Sequence, residues 1–208
     1  MARNSGRRSD RRSDEQRRLI LAQEAARLIR DHGIEDFRSA KMKAAENLGL
    51  SRQGGLPNNI EIEQALAELN RLFGGSHHAD LLTSLRNAAL NVMYDLQLFR
   101  PCLVGPVLSG HITEHTAIHL HLYSDTSETV GMQLSDRGIR HNTTLRRHKL
   151  RRDQVEQFPA YRFFSDDYEV EATVFPERRK AHAPLSPVDG RPMRRAKLSD
   201  VEAMTFAG

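Results

Sequence analysis

The character of the sequence changes at Pro101, and this change constrains the fold more than any other feature. Before it, apolar residues recur at steps of three and four, most regularly at Leu82, Leu85, Ala89, Val92, Met93 and Leu96. That is the period of a helix packed on a core. After it, short runs alternate apolar and polar residues, as half-buried strands do. The order predicts an α+β fold, with a mixed β-sheet and flanking helices preceded by a helical N-terminal segment.

Glycine, proline and capping residues divide the chain further. The predicted helices of the first half span about 14–31, 39–48, 60–73 and 78–99. The first 13 residues offer almost nothing to bury, so we expect them to be disordered. The predicted organisation is a disordered basic arm at 1–13, a helical region at 14–76, an α+β domain at 77–176 and a Pro/Arg-rich extension at 177–208.

The clearest strand is Ala117–Tyr123, where aliphatic residues alternate with His119 and His121. Because side chains alternate across a strand, both imidazoles should lie on one face and the aliphatic residues on the other. Further strands are predicted at about 103–108, 139–147, 161–164 and 168–175, with a helix at about 127–137.

The chain is basic, with a formal net charge of +4, and its arginines are clustered. The clusters lie at the N-terminus, at 140–152 and at 178–197. Clustered arginine suits nucleic acid or nucleotide phosphates, because the guanidinium fork matches phosphate oxygens. A solvated, solubilising surface explains the same charge equally well.

The compartment is constrained by one cysteine and by the lack of long apolar runs. With Cys102 alone, no intrachain disulfide can form, which favours a reducing environment. No stretch approaches the roughly 18 apolar residues of a membrane helix, and the N-terminus lacks the apolar stretch of a secretory signal. The sequence therefore predicts a cytoplasmic protein with no membrane partner.

A glycine-containing connection precedes the histidine-bearing strand. It reads Gly105-Pro106-Val107-Leu108-Ser109-Gly110 and leads to Thr116-Ala117-Ile118-His119-Leu120. The spacing resembles that of the minimal nucleotidyltransferases of the polymerase-beta superfamily. These have a Gly-Ser pair after a first strand, a second glycine, and then Ser-Asp-hydrophobic-Asp-Leu. The resemblance spans roughly residues 103–175, with Gly110 one position later than the loosest form of the pattern. It implies nucleotide binding by Gly105, Gly110 and Thr116.

The departures from that family fall on its chemistry. In the family, the two aspartates and a carboxylate on a later strand bind divalent metals that hold the triphosphate. Here Ala117 and His119 stand at the aspartate positions, and the third carboxylate corresponds to Glu171 or Glu169. Magnesium prefers oxygen ligands, whereas imidazole suits zinc and other transition metals. The resemblance therefore implies a scaffold without ordinary magnesium-dependent transfer, in which Glu171 and His119 are the candidate catalytic residues.

The candidate metal ligands are His119, His121 and Glu171. Together with His115 on the preceding loop, the two strand histidines could form a site for zinc or another transition metal. The alternative is that they only cover one face of the sheet. The sequence leaves the cofactor open between magnesium, zinc and no metal.

Two other segments bear on binding. Lys43–Ser51 resembles the first helix and turn of a helix-turn-helix, but glycines and Pro57 interrupt the position of the second helix. Arg52 is a candidate phosphate contact. The rigid loop 184–192 either places Arg191, Arg194 and Arg195 near a phosphate or only fixes the C-terminus to the domain.

These patterns indicate three functions. The first is a nucleotidyltransferase-like protein without magnesium-dependent transfer that binds a nucleotide, a nucleic acid or a protein. The second is an active transferase with a rearranged site that uses Glu171, Glu169 and either His119 or Asp125. The third is an accessory protein whose basic arm and 140–152 strand bind nucleic acid.

Overall fold

The computed structural model describes residues 3–50 and 55–206, and these residues form two compact units. The first, the helical unit, comprises the described residues up to Gly75 together with Thr113–His115. The second, the sheet unit, comprises Ser76–Ile112 and the described residues from Thr116 onward. The sequence pattern places the main boundary one residue later, between 76 and 77.

The helical unit contains α1 (Arg3–His32), α2 (Phe37–Asn47) and α3 (Asn59–Phe73). Its core is rich in alanine, which lets the helices approach closely, and its buried residues are Leu21, Ala22, Ala25, Ala26, Leu28, Ala40, Ala44, Ala45, Ile62 and Leu66. The Asp36 carboxylate caps α2 by accepting a hydrogen bond from the Ser39 N–H at 2.8 Å. Asn58 and Glu61 form a reciprocal capping box on α3.

One boundary in this unit differs from the sequence-based expectation. Helix α1 begins at Arg3, inside the segment expected to be a disordered arm. Arginine is a good helix former and no proline interrupts residues 3–32, so the helix can extend toward the N-terminus. As the glycines and Pro57 predict, the next helix after α2 among the described residues is α3, which begins only at Asn59. Arg52 lies outside the described residues.

The sheet unit begins one residue into α4 (Gly75–Asp95), which is followed by a short 3-10 turn at Gln97–Phe99. The elements after that turn are β1 (Cys102–Val104), α5 (Pro106–Ser109), β2 (Ile118–Tyr123), α6 (Glu128–Asp136), β3 (His141–Arg151), β4 (Gln154–Ser165), β5 (Tyr168–Phe175), β6 (Ala196–Lys197) and α7 (Leu198–Phe206). The strand order is β3-β4-β5-β2-β1-β6. The central pair β2–β5 is parallel and the other pairs of described strands are antiparallel, so the predicted α+β class with a mixed sheet is confirmed.

The two faces of the sheet differ. One face packs against helices, and its core includes Ile118, Leu120 and Leu122 of β2 with Leu85 and Met93 of α4. We call the opposite face, which carries His119, His121 and Tyr123, the open face. The alternation predicted for β2 therefore holds: the aliphatic residues point into the core and the histidines point away from it.

Three stretches of this unit depart from the predicted elements. The strand expected at 103–108 ends at Val104, because Gly105 adopts a positive φ of 72° and Pro106 starts α5. The β3–β4 hairpin is longer than predicted, since its distal half is too polar for the strand pattern to stand out. The segment after Pro176, predicted as an extension, supplies β6 and α7 and buries Ala196 and Val201 in the core.

Within the described part of the chain, no helix has both the length and the apolar character needed to cross a bilayer.

Candidate functional site

Strand register brings a polar cluster together at the centre of the open face. The parallel pair β2–β5 places His119 beside Glu171, and the antiparallel pair β4–β5 places Arg162 on the other side of Glu171. These residues share a face because every second residue of a strand points the same way. Arg146 of β3 completes the group, which we call the Glu171 cluster.

Glu171 is the centre of this cluster, with a side chain only 3% exposed. Its Oε1 lies 2.6 Å from Arg146 Nε and 3.6 Å from His119 Nδ1. Its Oε2 lies 3.3 Å from Arg162 Nε, which is also 3.1 Å from Glu169 Oε1. Two guanidinium groups therefore hold this buried carboxylate.

Electrostatics keep that carboxylate ionised. Burial alone raises the pKa of Glu171, because a charge is costly away from water. The hydrogen bond and charge of His119 and the charges of Arg146 and Arg162 act in the opposite direction and outweigh burial. The net effect is a pKa below the ordinary value for glutamate. The positive charges of the two arginines are balanced by the negative charges of Glu171 and Glu169, leaving His119 aside.

Gly105 lies against the cluster and Gly110 does not. The β1–β2 register pairs Val104 with His119, and a Cβ added to Gly105 would lie 3.4 Å from the His119 ring. Gly110 ends α5 with a φ of 85° and faces α4, where His78 Nε2 lies 3.2 Å from its carbonyl oxygen. The resemblance implies that Gly105 and Gly110 both bind a nucleotide beside His119 and Glu171, but in the structure only Gly105 lies close to these two residues.

The other predicted nucleotide-binding residues lie apart from the cluster's ion pairs. Thr116 is half-buried in the turn that leads into β2. Ala117, at the first aspartate position, is 6% exposed. Arg191 is exposed in a tight turn, where its N–H donates to Asp189 Oδ1 at 3.0 Å.

His121 has different surroundings from His119, although the two share a face. Its ring is 2% exposed and lies 4.7 Å from the ring of Phe175 and 5.5 Å from that of His148. Burial, and then the charges of His148 and Arg195, hold the pKa of His121 well below its usual value. Burial, followed by the charge of Arg146, lowers the pKa of His148 to about 4. Both rings are therefore neutral at pH 7.

The predicted metal ligands do not assemble into one set. His119 and Glu171 meet, but His121 packs among aromatic rings, and His115 belongs to the helical unit, where it lies against Gly33. Among the described residues, no group of three or more His, Cys, Asp or Glu side chains is arranged to hold a metal ion. Asp125 also has a structural role, since its Oδ1 accepts a hydrogen bond from the Glu177 N–H at 3.1 Å.

Residues 176–195, which we call the crossing segment, cover the other half of the open face. Arg179 pairs with Glu156 at 2.8 Å and lies over the ring of Phe158. Arg195 Nη1 donates to the Tyr123 hydroxyl at 2.6 Å and to the Lys180 carbonyl at 3.0 Å. The aromatic residues of this half are therefore buried, and the Glu171 cluster remains the accessible part of the face.

The sequence pattern identifies His119 and Glu171 but misses Arg146 and Arg162 as site residues. It groups Arg146 only with the basic cluster at 140–152. The side chains of Arg146 and Arg162 are 43% and 39% exposed, and they reach Glu171 only through the pairing of β3, β4 and β5. The alternation of side chains along each strand predicts which face each arginine occupies. Only the order of the strands shows that both arginines lie beside Glu171.

Comparisons of this chain with models of protein families, with curated proteins and with solved structures found no match.

Proposed function

We propose that the sheet unit is a nucleotidyltransferase-like scaffold that binds nucleotide phosphates without a metal and does not perform ordinary magnesium-dependent transfer. One observation carries the proposal. The carboxylate at the position of the family's third metal ligand, Glu171, is held by Arg146 and Arg162, with Ala117 and His119 at the two aspartate positions.

Ligand chemistry argues against magnesium. Magnesium requires oxygen ligands in near-octahedral geometry, and a two-metal site needs several carboxylates to clamp both ions. Ala117 supplies no ligand, and both Glu171 and Glu169 are engaged by arginine. In this proposal, the Arg146 guanidinium takes the place that the metal ions have in the family as the partner of the phosphate.

Arg146 and His119 favour a phosphate ligand. Arg146 contacts Glu171 through Nε, and its side chain is 43% exposed. A guanidinium group whose Nε is held by a carboxylate can still donate two parallel hydrogen bonds to a phosphate through its other nitrogens. The His119 side chain, 28% exposed, borders the same position.

Phe164 provides a surface for a base. It follows Arg162 by two residues on the same face of β4 and is 66% exposed. Base–aromatic stacking contributes about 1–3 kcal/mol per base. A nucleotide with its phosphates on Arg146 and its base on Phe164 would therefore use both the charged and the apolar parts of the accessible face.

The test is equilibrium binding of a fluorescent ATP analogue to the full chain in EDTA. We expect saturable binding that Arg146→Gln weakens roughly tenfold, the value of about one charge-assisted hydrogen bond. Arg71→Gln is the matched control, because Arg71 is an exposed arginine of α3 that pairs with Glu68. Equal affinity of the Arg146 variant and the wild type would contradict the proposal.

A transfer assay separates this function from an active, rearranged transferase. Radiolabelled nucleoside triphosphates are incubated with the protein, magnesium or manganese, and RNA or protein acceptors. The proposal predicts no transferred label. Label transfer abolished by Glu171→Ala would establish the active enzyme instead.

A further inference from the structure

The distal half of the β3–β4 hairpin extends beyond the helices that cover the sheet. On β4, Tyr161 and Phe163 face those helices and are buried. Further along the same side of the hairpin, Leu145 is 59% exposed and Val155 is 49% exposed. An antiparallel two-stranded ribbon therefore projects from the core with uncovered apolar side chains on this side.

Basic side chains lie beside these apolar residues. The register places Arg147 and Lys149 on the same side as Leu145 and Val155, and Arg151 and Arg152 follow at the turn. All four cations are exposed, and none forms an ion pair with a described residue. We call the four cations, with Leu145 and Val155, the basic ribbon.

Three exposed arginines elsewhere in the described chain are paired. Arg71 pairs with Glu68, Arg100 with Glu177 and Arg137 with Asp95, at distances of 2.5–2.7 Å. General solubility does not require unpaired cations to be concentrated on one projecting ribbon. The local excess of positive charge is available to an external polyanion.

The backbone of the ribbon is partly occupied, which argues against recognition by strand addition. The Leu185 N–H donates to the Lys149 carbonyl oxygen at 2.6 Å, so the crossing segment takes up the free edge of β3 at that point. A partner must therefore be recognised by the side chains of the ribbon rather than by its edge.

We propose that the basic ribbon binds duplex DNA. A two-stranded ribbon fits the major groove of B-form DNA, where the cations reach phosphates on both sides. The major groove of A-form RNA is too narrow for side chains to read. Among its described side chains the ribbon has no exposed aromatic ring on which a single strand could stack. This inference does not depend on the proposed nucleotide site.

The experiment is a fluorescence anisotropy titration of a labelled DNA duplex with the full chain. Four phosphate contacts give a slope of log K against log salt of about −3.6, a loss of roughly 100-fold between about 50 and 200 mM salt. The ribbon variant Arg147→Gln/Lys149→Gln/Arg151→Gln should bind at least tenfold more weakly and reduce the slope by about 2.7.

The matched control is Arg71→Gln/Arg100→Gln/Arg137→Gln, which removes the same formal charge from paired positions. It should bind DNA as the wild type does, and circular dichroism should show both variants folded. The proposal is overturned if wild-type protein does not bind, if the ribbon variant keeps wild-type affinity, or if the control loses as much affinity. Tighter binding of single-stranded DNA or duplex RNA would also overturn it. ATP binding in EDTA should be the same in the ribbon variant, which separates this result from the nucleotide site.

Discussion

The two halves of the open face are built from the same strands but hold opposite chemistry. At the start of β2, His119 faces Glu171 and two arginines, with partial access to water. Two and four residues later, His121 and Tyr123 lie among Phe158 and Phe175 beneath the crossing segment. A distance of only two residues along β2 therefore separates a charged, accessible site from a buried aromatic cluster. We therefore expect ligand binding in the half that the crossing segment leaves uncovered. The covered half should contribute mainly to the stability of the fold.

The largest expected effect is the loss of a buried aromatic ring from the covered half. Phe175 is 2% exposed and contacts His121, His148 and Phe158. Phe175→Ala should lower the free energy of unfolding by about 3–5 kcal/mol. Phe164→Ala, in the accessible half, should change it by less than about 0.5 kcal/mol while weakening ATP binding. Urea unfolding measures the free energy of unfolding of both variants. Similar decreases in the two would show that the two halves do not differ in their contribution to stability.

Acid should destabilise the covered half before it protonates the Glu171 carboxylate. The pKa of His148 falls to about 4 in the fold, against an ordinary value of 6.5, so the unfolded chain binds the proton first. The contribution of neutral His148 to the free energy of unfolding is fully present above about pH 6.5. It falls by about 2–3 kcal/mol as the pH drops toward 4. His121 shifts in the same direction.

His148→Gln should flatten this loss, with His182→Gln, at an exposed position, as the control. Urea midpoints between about pH 7 and pH 5 provide the measurement, because the Glu171 carboxylate is still ionised in that window. An identical pH dependence in the wild type and the His148 variant would show that the covered half does not control acid stability.

Removing the charge of Glu171 should have an intermediate effect. Glu171→Gln leaves Arg146 and Arg162 without their buried counter-ion, although their side chains remain 43% and 39% exposed to water. Because solvent screens these partners, we expect a loss of about 1–2 kcal/mol rather than the larger cost of a fully buried pair. Chemical unfolding at neutral pH checks this value, and a more stable variant would contradict a stabilising role for the ion pairs.

The smallest effect should come from loosening the crossing segment. Tyr123→Phe removes the hydroxyl that accepts a hydrogen bond from Arg195 and keeps the buried ring. One such bond contributes about 0.5–1.5 kcal/mol. Proteolysis within residues 176–195 should also become faster. Unchanged stability and unchanged cleavage would show that this contact does not hold the segment.

Local patterns predict more of the fold than of the site. The period of α4, the alternation in β2 and the caps of α2 and α3 depend on neighbouring residues, and the sequence locates these elements closely. The Glu171 cluster depends on which strands are adjacent, and sequence period does not determine strand order, so Arg146 and Arg162 escape prediction. The short β6 and the nine-residue α7 also escape it, because a two-residue strand and a helix that follows prolines and arginines carry little periodicity.

The glycines illustrate the same limit. Gly105 and Gly110 both adopt positive φ, in keeping with their spacing around a turn. The sequence does not show that α5 separates them, so that one contacts His119 and the other faces α4. Conformation is predictable from residue type, whereas the direction in which each residue faces requires the tertiary structure.

Titration of the Glu171 carboxyl group by carbon-detected NMR, with and without millimolar magnesium, tests whether arginine has taken the place of the metal. If guanidinium groups have replaced the metal, the Glu171 resonance should titrate below the ordinary glutamate value of 4.5, and magnesium should leave its shift and its pKa unchanged. A resonance that moves when magnesium is added would show that Glu171 is free to bind the metal, and a pKa above 4.5 would show that the arginines do not offset its burial. Either result would contradict the replacement of the metal by arginine.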